Sequence, residues 1–371
     1  MSLHIRSWSE EEFAEAREPW QELLAESDAD PLFMSWDWQW RWWAHHRRSL
    51  KAELRVLGAY TDGGRLLAIA PFYSRVVRSV RLLPVRRLEL LGSAWRTNGA
   101  VFSEYLDLIV ARDTRAEVVA EAAAWISQRL EWDDLVISYS KAQSAASSLV
   151  GEHLAAVAHA RQVDDSVAYS AILPNTFPEY VDALSSNTRR KVLNQRAKLR
   201  SPEVVAAGAG DIEKFLDLLL RFNASRWQSR SGTAHDGFRR FHNDFAACMA
   251  RTGALRLTML REEGRPVSMM YNVRVAGAEY YLQSGFDPDM ARGRSPGYLH
   301  FGYALEGACA DGVEKFDMLC GRGRHREYKP DLATEQVNLA CYQAIRAPLL
   351  RLLYSSRDRL RSGVVDSRTT S

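Results

Sequence analysis

The 371-residue chain predicts an α+β fold on three observations. Short runs alternate apolar and polar residues and are separated by Gly-rich turns, as half-buried strands require. These runs group into antiparallel meanders. Helix-periodic segments precede and follow each meander, so helices cover a mostly antiparallel sheet. The order helix, meander, helix, strand in residues 1–140 recurs, with a clearer site, in 166–345. The repeat is one of element order and not of visible sequence identity. Length sets two domains as the expectation, with boundaries at 1–160 and 161–346 and a C-terminal helix and flexible basic tail at 347–371.

Each element has its own signal. Ser9 precedes acidic residues, and Phe13, Ala16, Trp20, Leu23 and Leu24 follow at helical spacing, which predicts a helix over 9–27. Residues 31–46 carry Trp36, Trp38, Trp40, Trp42 and Trp43, spaced for a helix on a sheet; core packing with N–H groups bonded to backbone competes with an aromatic substrate wall. Strands 54–60 and 65–73 flank Thr61-Asp-Gly-Gly, a hairpin signal. Further strands are predicted at 85–91, 105–110 and 135–139, with a helix near 114–130. A helix over 144–160 leads to a strand at 166–173. The segment 180–200, with Arg189, Arg190, Lys191, Arg196, Lys198 and Arg200, reads as a basic helix, either a solvated face or an anion-binding one. Helices 212–230 and 238–251 precede strands 255–260, 265–275 and 279–285.

Composition narrows the function. Hydrophobic content of 46% and charged content of 26% are those of a soluble globular protein. A formal charge of +3 argues against a dedicated DNA-binding role. No apolar run reaches the roughly 18–20 residues of a membrane helix. The N-terminal residues carry no apolar signal core, so a cytoplasmic location is expected. Cys248, Cys309, Cys320 and Cys341 lack metal-like spacing and sit in apolar contexts, which predicts buried thiols and no metal.

Residues 280–330 concentrate the chemistry. Tyr280 to Gly285 alternate as a strand; Ser295 suits an N-cap and Pro296 the first helical position. Arg292 and Arg294 lie just upstream and Gly297 just inside, so the helix start reads as a pyrophosphate site. The helix runs to Gly312, and Phe316 and Met318 alternate with Lys315 and Asp317 in a following strand. A charged loop, Gly321-Arg-Gly-Arg-His-Arg-Glu, then precedes Tyr328 and Lys329. Asp317, turned away from the core side, is the candidate base; Tyr328 is the candidate proton donor, Lys329 a candidate carboxylate or phosphate ligand, and Gln283 a candidate for orienting substrate. Surface, packing or neighbour-satisfying roles compete at each position. His242, His300 and His325 are isolated, and a lone histidine is most often a plain polar contact.

Tyr-Tyr-Leu-Gln-Ser-Gly-Phe-Asp at 280–287, Ser-Pro-Gly at 295–297, Phe316-Asp317 and Tyr328-Lys329 resemble the GNAT-like acyltransferases of the CelD/BioF-like acetyltransferase group, distantly related to Fem-type peptidyltransferases. Thr188 to Arg196, Arg226-Trp227 and the turn at 260–268 add to the resemblance, which is specific over about 180–345. It implies two tandem GNAT-like domains, each a mixed, mostly antiparallel sheet flanked by helices, the first degenerate and the second catalytic. It also implies acetyl-CoA or another acyl-CoA as donor and an amine on a small molecule or sugar as acceptor, in polysaccharide or cell-envelope metabolism. The family's pyrophosphate loop resembles Arg292-Gly-Arg-Ser-Pro-Gly, which keeps the basic lead and final glycine and replaces the middle with Ser-Pro. Two other readings stand beside it: a Fem-like transferase using aminoacyl-tRNA and a cell-wall precursor, kept open by the basic segment at 189–200, and a non-catalytic ligand-binding GNAT-like protein.

Overall fold

Caps and breakers decide where the helices fall. The computed structural model describes residues 3–78, 83–227, 232–291, 295–320 and 328–356. The chain divides into two compact units, Met1–Ser166 with Leu339–Ser371, and Val167–Asn338. The division departs from the predicted boundaries mainly at the C-terminal side, where residues from 339 onward belong to the first unit.

In the first unit, β1 (Leu3–Ser7) leads to α1 (Glu10–Glu15), opened by a reciprocal capping box between Ser9 and Glu12. The predicted single helix over 9–27 is instead α1 and α2 (Arg17–Ala25), because Pro19 has no N–H to continue the ladder. The tryptophans of α3 (Trp36–Leu50) take the core option. The indole N–H groups of Trp36, Trp38 and Trp42 donate to Phe13 O, Ser103 Oγ and Val101 O at 2.8–2.9 Å. Strands β2 (Glu53–Thr61), β3 (Leu66–Arg78) and β4 (Pro84–Leu90) form the meander, and β5 (Ile109–Val110) adds to β3. The predicted strand over 105–110 shrinks to β5 because the Asp107 carboxylate accepts from Leu108 N and Ala146 N, and Tyr105 takes a positive φ of 54°. Helix α4 (Arg115–Arg129) carries the chain to β6 (Asp134–Lys141), parallel to β4. The last strand, β13 (Glu335–Ile345), runs antiparallel to β6 from Leu339↔Lys141 to Ile345↔Asp134. Residues 348–356 are helical.

The helix predicted over 144–160 does not form as one piece. A four-residue turn, α5 (Ala145–Ser148), passes into a π turn and a 3₁₀ turn, and residues from His159 are drawn into a strand.

From Val167 onward that strand, β7 (His159–Ile172), belongs to the second unit and pairs with β12, in the order β7-β12-β11-β10-β9-β8. Before the meander come α6 (Phe177–Ala183) and α7 (Ser186–Val192). The predicted basic helix over 180–200 is therefore interrupted: Ser185 accepts from Thr188 N and opens a fresh helix, and residues 194–198 are 3₁₀. Then follow β8 (Pro202–Ala206), α8 (Ile212–Trp227), α9 (Gly232–Arg251), β9 (Leu255–Glu262), β10 (Arg265–Val275) and β11 (Ala278–Phe286), these four strands pairing with one another antiparallel in the order β8-β9-β10-β11. Helix α10 (Pro296–Ala310) crosses over to β12 (Lys315–Leu319), which lies parallel to β11 and antiparallel to β7. A short α11 (Lys329–Leu332) precedes β13.

Helices cover both faces of this second sheet. Met270, Tyr281, Phe301 and Phe316 share one apolar cluster with Phe177, Tyr180 and Val192, so α6, α7 and α10 lie on one side. Neighbouring Tyr271 faces His242 of α9 at 5.4 Å between rings, which places α9 on the other side. Two glycines set the approaches. A Cβ on Gly302 of α10 would meet Val192 O at 2.1 Å, so the end of α7 rests directly on the α10 backbone. A Cβ on Gly285 would meet Phe222 Cβ at 2.9 Å and Leu219 O at 3.2 Å, so α8 presses on β11. Each unit is thus a mixed, mostly antiparallel sheet flanked by helices. No described helix is long and apolar enough to cross a membrane, and the four cysteines are buried thiols not joined in disulfides.

Candidate active site

The parallel pair β11/β12 is short by construction. Its residue pairs run from Ala278↔Lys315 to Tyr280↔Asp317 and stop, while β11 continues along β10 to Phe286↔Ser268. Beyond Tyr280 the two strands part. The β10/β11 register also shifts, since Tyr271↔Gln283 is followed by Asn272↔Tyr281, leaving Leu282 as an extra residue in a bulge. The next helix, α10, begins with Ser295, whose side chain makes no cap hydrogen bond, followed by Pro296 at N1. Free N–H groups at such a start favour an anion. Among the described residues, the added Cβ of a residue at Gly297 would meet ring carbons of Phe286 at 3.8 and 4.0 Å, an ordinary contact. Arg292 and Arg294, like His325 and its loop at 321–327, lie outside the described residues.

Asp317 and Lys329 are brought together at the end of β12. Asp317 is 1% exposed; its Oδ1 accepts from Leu319 N at 2.9 Å, and Lys315 Nζ lies 3.0 Å from its Oδ2. Lys329 is buried, with Nζ donating to Met318 O at 2.6 Å and Leu319 O at 2.9 Å. Both side chains therefore grip Leu319, which holds a positive φ of 60° where a non-glycine residue needs support. The β12/β7 register shifts at the same place.

Tyr328 lies on the α10 side, with its ring 5.4 Å from Phe301 and 5.9 Å from Tyr298. Tyr328 Oη is 3.3 Å from Tyr281 Oη, which is 2.6 Å from Ser284 Oγ. Tyr298, in the first turn of α10, donates to Asp331 Oδ2 at 3.2 Å, and Lys191 Nζ sits 4.6 Å over its ring. Burial, reinforced by Asp331, pushes the Tyr298 phenol above its ordinary pKa. Gln283 is half-buried and shares its side of the strand with Gly285, toward α8 and away from Tyr328. The structure thus joins Asp317 with Lys329, and Tyr328 with Tyr281 and Ser284, while Gln283 stands on the opposite face of the sheet.

His300 is a plain polar contact, as its isolation suggests. It is fully buried, with Nε2 2.9 Å from Thr258 Oγ1 and Nδ1 3.1 Å from Ser268 Oγ, and burial lowers its pKa from 6.5 to about 3. Tyr281 and Ser284 stand in the strand that sequence reading singles out, but nothing in the sequence assigns them a role. The bulge that turns both toward one face has no compositional mark.

Residues 186–330 match the family described as acetyltransferase (GNAT) domain. FemX shares the fold with a TM-score of 0.60 and 10% identity, over 94% of this chain and 99% of that one. A conserved protein of unknown function from Bacteroides thetaiotaomicron gives 0.55 and 11%, over 93% and 99%. The C-terminal domain of a putative lysylphosphatidylglycerol synthetase from Agrobacterium fabrum gives 0.51 and 11%, over 93% and 95%. At these identities the likeness is one of fold. Among curated proteins none matches by sequence. Residues 186–330 accordingly match an acetyltransferase (GNAT) domain, within a chain whose overall fold is shared with FemX.

Proposed function

We propose that the second unit is an acyltransferase that moves an acyl group from acyl-CoA, acetyl-CoA being the simplest case, to an amine of a small molecule or sugar. The observation that carries this reading is the parting of β11 and β12 beyond Tyr280↔Asp317, with the α10 N-terminus following on the same chain. An extended thioester arm fits between diverging strands, where main-chain N–H groups no longer committed to the β12 ladder can hold its carbonyl oxygen as charge develops. The pyrophosphate would rest on the first turn of α10, at Ser295 and Gly297, with Arg292 and Arg294 upstream. The amine attacks directly in a ternary complex, so proximity and oxyanion stabilisation supply most of the rate.

Tyr328 is assigned as the proton donor to the departing thiolate. Asp317 and Lys329, whose polar atoms are engaged at Leu319, are assigned to holding the open end of β12 in place. Gln283 would meet the acceptor from the α8 side. Calorimetric titration with acetyl-CoA tests the donor site: Arg294→Ala combined with Gly297→Val weakens binding without unfolding, and unchanged affinity removes the pyrophosphate assignment.

A second reading has its own support. The fold shared with FemX and the basic residues at 189–200 suit an aminoacyl-tRNA donor. Salt-sensitive binding of tRNA, with no affinity for acyl-CoA, would establish it in place of the first. Acyl-CoA affinity without thiol release under any acceptor would leave only a binding protein.

A further inference from the structure

This inference rests on the acyl-transfer reading and deepens it at the same site. Three hydroxyls follow one another on the α10 side of β11, past the last residue pair with β12: Tyr328 Oη, Tyr281 Oη at 3.3 Å, and Ser284 Oγ at a further 2.6 Å. In a regular strand, positions three apart point to opposite faces. The extra residue at Leu282 returns Ser284 to the face of Tyr281. The rings that carry the hydroxyls are tightly held. Tyr281 is 9% exposed, with Phe301 4.7 Å from its ring and Lys329 Nζ 5.8 Å over it. A hydroxyl both accepts and donates, and its hydrogen rotates freely, so a fixed row of them passes a proton without moving heavy atoms.

We propose that Ser284, Tyr281 and Tyr328 form a relay that carries a proton from the attacking nitrogen to the departing sulfur. An acceptor ammonium loses two protons as it becomes an amide N–H. The first goes to solvent before attack. The nitrogen then bonds to the thioester carbonyl carbon and gives its second proton to Ser284 Oγ, whose own proton moves to Tyr281 and that of Tyr281 to Tyr328. Tyr328, whose hydroxyl at rest donates to Tyr281 Oη, turns its O–H to the sulfur and protonates it as the carbon–sulfur bond breaks, taking the Tyr281 proton in exchange. The products are amide and free thiol, and the protein returns to its starting protonation. Ser284 and Tyr328 touch the reacting atoms; Tyr281 acts through them and also positions Tyr328.

The test uses the full chain, measuring thiol release from acetyl-CoA against a panel of primary amines, with acetyl-CoA affinity measured separately by calorimetry. Tyr281→Phe and Ser284→Ala are expected to lower kcat about 100-fold, the scale of general acid–base assistance. Their donor affinity should stay unchanged and their pH–rate profiles should alter. Ser284→Thr, which restores a hydroxyl at a strand position, should recover most of the rate. Wild-type rates and profiles in Tyr281→Phe and Ser284→Ala overturn the relay, as does a Ser284→Thr variant as slow as Ser284→Ala. If the unaltered protein neither binds acetyl-CoA nor releases thiol from it, the acyl-transfer reading itself fails, and the relay with it.

Discussion

Two glycines on one helix should respond in opposite senses to the same substitution. In a helix interior, Gly→Ala ordinarily stabilises by about 1 kcal/mol, because alanine loses less backbone freedom on folding. Gly307 of α10 has nothing within 4 Å of an added Cβ, so Gly307→Ala should gain that amount in full. Gly302, little more than a turn earlier, would place its Cβ 2.1 Å from Val192 O and 3.0 Å from Val192 C, where real Cβ contacts do not fall under 3.0 Å. The end of α7 would have to retreat by about 0.9 Å, and its obstacle is main chain, not a side-chain tip. Overpacking of this kind costs roughly 1–3 kcal/mol and at times more. After subtracting the propensity gain, Gly302→Ala should be destabilising by up to about 2 kcal/mol, a fall in Tm of up to roughly 8 °C for a unit of this size. Urea and thermal unfolding followed by circular dichroism read both variants on one scale. If Gly302→Ala raises the midpoint as Gly307→Ala does, α7 does not rest on α10 as described, and the placement of the helix mouth loses its support.

Other outcomes follow from the site. Lys329→Met keeps the stem but removes two charge-assisted bonds to Met318 O and Leu319 O; a loss of roughly 2–4 kcal/mol in urea titration is expected, partly offset by the ammonium no longer being desolvated. Stability equal to the unaltered protein would return Lys329 to the list of ligand contacts. His300 titrates near 3 when folded and near its ordinary 6.5 when unfolded, so the unfolded chain binds the extra proton between those values. Its contribution is therefore complete above about pH 6.5 and declines as pH falls toward 3, at up to about 1.4 kcal/mol per pH unit. His300→Asn should flatten that part of the stability–pH curve, and an unaltered slope would show that another group is responsible. Tyr328→Phe should reduce kcat with acetyl-CoA affinity unchanged; a purely donor-affinity effect would place Tyr328 in binding instead.

The strands of the second unit and the start of α10 were open to sequence reading because their causes are local, although Ser295 makes no side-chain cap bond there. The alternation of Tyr280 to Gly285 and the Ser295-Pro296 start correspond to β11 and α10. Which tryptophans of α3 would lie in the core was not legible, because the acceptors that let Trp36, Trp38 and Trp42 be buried come from tertiary packing, as Ser103 does for Trp38. Where the cause is distant, pattern fails. Ser185 looks like one more polar residue in a basic helix, yet it accepts from Thr188 N and restarts the chain. Lys329 reads as a carboxylate or phosphate ligand, whereas its Nζ donates hydrogen bonds to Met318 O and Leu319 O of β12. An extra residue at Leu282 leaves no trace in composition, since a bulge is a property of pairing and not of residue type.

The closing strand of the first unit has a consequence for how the polypeptide is made. β6 emerges early in synthesis, yet its antiparallel partner, Leu339–Ile345, is not added until nearly two hundred further residues have been joined. Until then Leu135, Val136 and Ile137 sit beside a bare strand edge, a template for unwanted pairing with other nascent chains. A gene fragment cut anywhere between the two halves would keep that edge bare permanently. The intervening stretch must therefore form its own sheet quickly enough that the late strand arrives at a partner still unclaimed.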